Sequence, residues 1–133
     1  MYIIIVGCSR VGIDLAQALD SEGHNVVVID RNQESLARLG RSFSGLLISG
    51  NGYEPEVLRE AGIEKADALL AVTDNDNTNL VTTQVARKLF GKEKVLARIY
   101  DPVRAETFQK MAVDTVSETT LVSEAFRKLL FDK

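Results

Sequence analysis

Cysteine, histidine and proline are scarce in this chain, and each scarcity closes off a class of protein. A single cysteine, Cys8, excludes an internal disulfide and suits a reducing compartment. With only one histidine beside it, His24, there is no Cys/His cluster to hold zinc. His24 falls in the loop expected after the first helix, where a solvated residue is a simpler reading than a general base. No apolar run approaches the ~20 residues that span a bilayer, and the first residues lack a signal-peptide pattern. Direct membrane insertion is therefore not expected, and a cytoplasmic location is. A net charge of −3 gives no broad attraction to nucleic acid or to anionic lipid. The Tyr-x-x-x-Lys pair of short-chain dehydrogenases is also missing, since Tyr2, Tyr53 and Tyr100 are followed four positions on by Val6, Val57 and Arg104. No linker, low-complexity tract or short repeat divides the 133 residues, which suit one domain.

What is present is concentrated in Tyr2 to Arg31, which reads YIIIVGCSRVGIDLAQALDSEGHNVVVIDR. An apolar run leads into a glycine turn, an amphipathic segment follows, and a second apolar run ends in an acid. Gly7 and Gly12 frame the start of a helix whose unpaired amides and partial positive charge favour phosphate. Asp30 stands at about the interval where a carboxylate meets an adenosine ribose. The dinucleotide fingerprint asks for G-x-G-x-x-G, and here it is Gly7-Cys8-Ser9-Arg10-Val11-Gly12, with Ser9 at the middle glycine. A tight strand-to-helix connection without a ligand is the alternative. The strand before, the helix after and the acid beyond favour nucleotide.

Further apolar runs follow at Gly45–Ile48, Ala68–Val72, Val95–Ile99 and, weakly, Asp114–Val116. Between them lie segments of helical spacing, clearest from Asn75 to Phe90, with Leu80, Val81, Val85, Ala86 and Leu89 on one stripe. Unbroken apolar strands are covered on both faces. Six strands alternating with helices predict an α/β, Rossmann-like doubly wound domain with a mainly parallel six-stranded sheet. Asp101-Pro102 reads as a helix start, Thr73 with Asp76 as a capping box, and Gly40, Gly62 and Gly91 as helix stops. The whole length is expected to be used in building this fold, which leaves no substrate domain for a dehydrogenase.

With these motifs set out, the chain resembles the RCK (KTN, TrkA N-terminal type) nucleotide-binding domains that regulate potassium transport. The resemblance rests on IIIVGCSRVG, GHNVVVID, SGNG, AGIEKADALLAVTDNDNTNL, VLARI and MAVDTV, spread over essentially the whole chain. It implies regulation rather than catalysis. Such domains assemble as dimers, and often as eight-membered rings, beneath a membrane channel or transporter. Binding of NAD(H), ATP, ADP or AMP changes the ring's shape and gates the pore. The resemblance implies Arg10 near the phosphates, Asp30 on the ribose, Gly50-Asn51-Gly52 beside the adenine, and Thr73 and Asp74 facing the far part of the ligand. No C-terminal companion domain of the usual kind is included in these residues.

Bland readings stand beside these. Arg10 could be a solvated surface charge, and Thr73 only a helix cap. Arg31 beside Asp30 hints at a 2′-phosphate site, but Asp30 would repel that phosphate. Arg98, a charge inside an apolar strand, is expected to face the cleft or a subunit contact. Ser9 brings a Cβ near the ligand path, so an adenine mononucleotide is expected to be preferred over an extended dinucleotide. Asn51 replaces the family's usual Asp. The acid that joins subunits in the family aligns with Thr120, two residues beyond Glu118, and no metal role is assigned to either. Leu121, Val122, Ala125, Phe126, Leu129 and Leu130 form an apolar face that packs on the chain's own sheet or crosses to a partner subunit. An NAD-dependent oxidoreductase domain is the alternative function.

Overall fold

A computed structural model describes residues 1–132. Six strands, β1 (Tyr2–Val6), β2 (Asn25–Asp30), β3 (Leu46–Ser49), β4 (Ala68–Ala71), β5 (Val95–Ile99) and β6 (Asp114–Ser117), form one sheet. Their order is β3-β2-β1-β4-β5-β6, and every neighbouring pair is parallel. The sheet is thus wholly parallel. Helices α1 (Arg10–Ser21), α2 (Gln33–Ala37), α3 (Pro55–Glu60), α4 (Asp76–Phe90), α5 (Ala105–Lys110) and α6 (Glu118–Phe131) connect or follow the strands.

The alternation of side chains along β1 explains its unbroken apolar run. Ile4 and Val6 join one core with Leu58, Ile63 and Phe108, while Ile3 and Ile5 join a second with Ala16, Leu36 and Leu39. Both faces are covered, so both need apolar residues. The winding direction reverses between β1 and β4. Crossover connections therefore leave in opposite directions there, and a crevice opens beyond the carboxyl ends of these strands.

Caps set the helix starts. Ser9, Asn32, Asn75 and Ser117 each accept a first-turn amide, for α1, α2, α4 and α6 respectively. Gly62 and Gly91 end α3 and α4 in left-handed conformation, as expected from sequence. Asp101 accepts the Val103 amide, but Pro102–Arg104 forms a 3-10 turn and α5 starts only at Ala105.

Two expectations are corrected. Thr73 and Asp76 form no capping box, because Asn75 caps α4 through the Thr78 amide at 2.9 Å. The Asp76 carboxylate instead accepts the Tyr100 and Asp101 amides, tying α4 to the end of β5. The stripe on α4 holds only in part: Ala86 is buried and Leu80 and Val85 pack against the core, but Val81 and Leu89 are exposed, and Asn79, Thr82 and Thr83 are buried. Counting apolar residues misses the rest of that face because polar residues fill it.

The last helix differs from the others. None of α6 is buried, and Leu121, Val122, Phe126, Leu129, Leu130 and Phe131 are 53% to 78% exposed. The face does not pack on its own sheet.

Two stability experiments follow from these contacts. A Cβ at Gly12 would fall on the Gly7 carbonyl oxygen. Gly12→Ala is expected to cost ~1–3 kcal/mol, read from the urea midpoint; an unchanged midpoint would contradict the close packing. At the other end of α1, the Asp20 carboxylate accepts the Ser44 hydroxyl at 2.6 Å and the Ser44 amide at 2.9 Å, which holds its pKa below the ordinary value. A depressed folded pKa adds stability above the unfolded pKa and loses it as pH falls through the folded one. Asp20→Asn should therefore flatten the acid limb of stability against pH, below about pH 4.

Candidate functional site

The crevice between the ends of β1, β2 and β4 is a cavity of about 450 Å³, within the range of small-molecule sites. Of the residues expected there, Gly7, Cys8, Ser9, Asp30, Arg31, Gly50, Asn51, Gly52, Thr73 and Asp74 line it. Arg10, Val11, Gly12 and Arg98 do not. Sequence reasoning missed Asn32, Ser35, Arg38, Tyr53, Asn75 and Thr78, which complete much of the wall.

The glycine turn is held by backbone contacts that leave no room for larger residues. Gly7 has φ of 112°, and a Cβ there would lie 2.7 Å from the Thr73 nitrogen. Ser9 turns its side chain inward: Oγ accepts the Gly12 amide at 3.2 Å and donates to the Val72 carbonyl at 2.8 Å. The hydroxyl is thus a helix cap and a tie between the β1 and β4 ends. The Gly7 amide donates to Ile29 and the Cys8 amide to Asp30 Oδ2, at 2.8 and 2.7 Å. The amides of Ser9, Arg10 and Val11 have no acceptor among the described residues. Three free N–H groups at the start of a twelve-residue helix are an arrangement that favours an anion.

Asp30 is tied to this turn. Its Oδ2 holds Cys8 and its Oδ1 accepts the Asn32 amide at 2.8 Å. A carboxylate has about four acceptor positions, so each oxygen keeps one for a hydroxyl. Gly50 donates its amide to the Asp30 carbonyl at 3.1 Å, bringing the Gly50–Gly52 loop against β2. A Cβ at Gly52 would run into Val6. Asn51 is turned back on its own loop, donating to Glu54 at 3.0 Å.

Asn79 organises the opposite wall. It has no exposed surface. Its Oδ1 accepts the Thr73 amide at 3.0 Å and the Thr73 hydroxyl at 2.6 Å. Its Nδ2 donates to the carbonyls of Thr73 and Arg98, at 3.1 and 2.8 Å. The signal in the sequence was an asparagine on a helix face otherwise turned to the sheet. Arg98 lies behind this wall. Nη1 donates to the Val72 carbonyl at 3.3 Å and stands 3.6 Å from Asp74, Nη2 donates to the Tyr100 hydroxyl at 2.7 Å, and Nε meets Glu118. The arginine in the apolar strand is therefore partnered and inward, and it reaches the cleft only through Asp74.

The residues that the TrkA-N domain model matches are 3–119. The chain belongs to the TrkA-N domain family. It is 50% identical over 131 residues to the Trk system potassium uptake protein TrkA of Streptomyces coelicolor, covering 98% of this chain and 59% of that protein. The TrkA homolog of Methanothermobacter thermautotrophicus is 37% identical over 116 residues, covering 87% and 53%. The chain thus spans a little over half the length of these relatives. Among solved structures, the RCK domain of GsuK aligns with TM-score 0.83 and 25% identity, over 97% of this chain and 28% of that one. The Shewanella denitrificans Kef C-terminal domain in its AMP-bound form gives 0.80 and 21%, over 100% and 84%. The GsuK channel bound to NAD gives 0.74 and 21%, over 86% and 21%. This TrkA-N chain shares their fold.

Cys8 has a defined state within the site. Its thiol donates to the Ser35 carbonyl at 3.0 Å. Burial pushes its pKa up, the Asp30 carboxylate adds to that, and Arg38 opposes it. A thiol kept neutral reacts slowly. At pH 8 the folded TrkA-N chain is expected to react with iodoacetamide at least about tenfold more slowly than the urea-unfolded chain; equal rates would contradict the assigned environment.

Proposed function

We propose that this TrkA-N chain is a cytoplasmic regulatory domain of a potassium uptake system, binding an adenine nucleotide and acting on a membrane-embedded transporter rather than catalysing a reaction. One observation carries the reading: the unpaired amides that open α1 follow directly on the glycine turn, whose Cys8 amide holds a crevice carboxylate with acceptor capacity to spare. The amides suit a phosphate and the carboxylate suits a ribose diol. Arg10 sits exposed on the first turn of α1, where it can swing over the phosphate. The Gly50–Gly52 loop takes the adenine side, and Thr73 and Asp74 take the far end. Membership in the TrkA-N family supports the potassium role, and the AMP and NAD carried by the Kef and GsuK neighbours support the ligand class.

Ser9 shapes the choice among adenine compounds. Its Cβ stands where the fingerprint has a glycine that lets pyrophosphate approach the backbone. An adenine mononucleotide is preferred on this reading. The exposed α6 face supports a homodimer, the unit from which larger rings are built.

Calorimetry and thermal melting with ATP, ADP, AMP and NADH test the reading together. At least one mononucleotide is expected to stabilise the fold, by ~2.7 kcal/mol at a hundredfold excess over Kd. Asp30→Ala should weaken binding. NADH binding tenfold tighter than all three mononucleotides would overturn the preference, and silence from every adenine compound would overturn the nucleotide reading. Consumption of added NADH with carbonyl substrates would favour an oxidoreductase instead. Light scattering at tens of micromolar is expected to give a dimer, and a stable monomer would count against it.

A further inference from the structure

Arg98 is the most heavily engaged side chain that the nucleotide reading leaves without a task. It is 9% exposed. Four elements converge on its guanidinium: the Val72 carbonyl at the end of β4, Asp74 on the loop before α4, Tyr100 after β5, and Glu118, the first residue of α6. The Tyr100 ring also lies against it, 4.8 Å from ring centre to guanidinium carbon. Burying an arginine is costly unless its partners are fixed, and breaking one partnership leaves an uncompensated charge. The group therefore ties its partners firmly to one another.

Two features give that tie a direction. The Val72 carbonyl that Arg98 holds also accepts the Ser9 hydroxyl, so the capping residue of the anion-binding helix end is two hydrogen bonds from the arginine. At the other end, α6 has no buried residue and, among the described residues, meets the rest of the fold through side chains of its first turn. These are Glu118 on Arg98 and the Thr119 hydroxyl on the Tyr100 carbonyl. One oxygen of the Glu118 carboxylate and Arg98 Nε are both buried and in contact. A helix whose polar ties to the rest of the fold lie in its first turn takes its direction from that turn.

We infer that Arg98 is a positioning residue: through the Val72 carbonyl and Asp74 on one side and Glu118 on the other, it couples occupancy of the crevice to the setting of α6. The inference rests on the nucleotide reading above. A phosphate drawn to the Ser9 amide shifts the Ser9 hydroxyl on the Val72 carbonyl, and a ligand reaching the rim competes for Asp74. Either event changes what Arg98 holds, and Glu118 moves with it. Linkage requires the converse, so whatever seats the apolar face of α6 alters nucleotide affinity by the same factor.

The test uses ADP as probe and hydrogen exchange of the α6 amides as readout, with calorimetry on the same samples. In the unmodified chain, saturating ADP is expected to change α6 exchange by about fivefold or more, the low end of measured couplings. In Glu118→Gln, ADP should still bind, but the ratio of exchange with and without ADP should fall to about one. A purely structural role for Glu118 would shift both states alike and leave that ratio intact, which would overturn the inference. Thr119→Val, which removes the other tie, should keep the ratio. Arg98→Lys retains the charge but not the fork, and is expected to lose the ratio as Glu118→Gln does; because Glu118 is only part-buried, its variant carries the test if Arg98→Lys fails to fold. ADP heat without any α6 response in the unmodified chain overturns the inference alone. No heat from ADP, ATP or AMP removes both the inference and the nucleotide reading.

Discussion

The turn after β1 and the turn after β4 touch backbone to backbone, at Gly7 and Thr73, and the site is built around that contact. Any side chain at Gly7 would separate them. Their approach lets Ser9 reach the Val72 carbonyl and cap α1 in the same stroke. It fixes where the free amides point, and it brings Thr73, locked by Asn79, to the opposite wall. Topology supplies the place for this contact, because only at the reversal between β1 and β4 do the crossovers diverge. Small residues supply the closeness.

The charges of the site follow from the same frame. Asp30 is held by two backbone amides, so its carboxylate is already oriented before any hydroxyl arrives. One of those amides, from Cys8, belongs to the glycine turn itself. The acid and the turn that opens α1 are therefore one unit joining β1, β2 and α1. Preorganisation of this kind lowers the ordering cost of binding. The buried arginine behind the opposite wall plays a comparable part for β4, β5 and α6, where an ion pair rather than an amide does the fixing.

Much of this was legible in the sequence because it depends on period and punctuation. The strands stand out as apolar runs, their full burial implies a parallel sheet, and the glycine turn with its distal acid marks the crevice. Three features were not legible. The face of α4 is only partly predicted because Asn79, Thr82 and Thr83 are buried on it, and apolar counting ignores them. Asn32, Ser35, Arg38 and Tyr53 enter the wall only when loops from separate strands are brought together. Arg98 was rightly singled out as a charge that needs partners, but those partners lie 24 residues before it and 20 after it, at Asp74 and Glu118. Long-range pairing of that kind leaves no trace in local pattern.

The central claim is that the amides opening α1 are the phosphate-binding element. Amide proton shifts of the isotopically labelled chain, followed while ADP is added, address it directly. Ser9, Arg10 and Val11 should move farthest and downfield, as amides do on gaining an anionic acceptor, with Asn32 and Gly52 following at the flanks. If ADP binds while these three amides stay still and the largest shifts gather elsewhere, the account is wrong at its root.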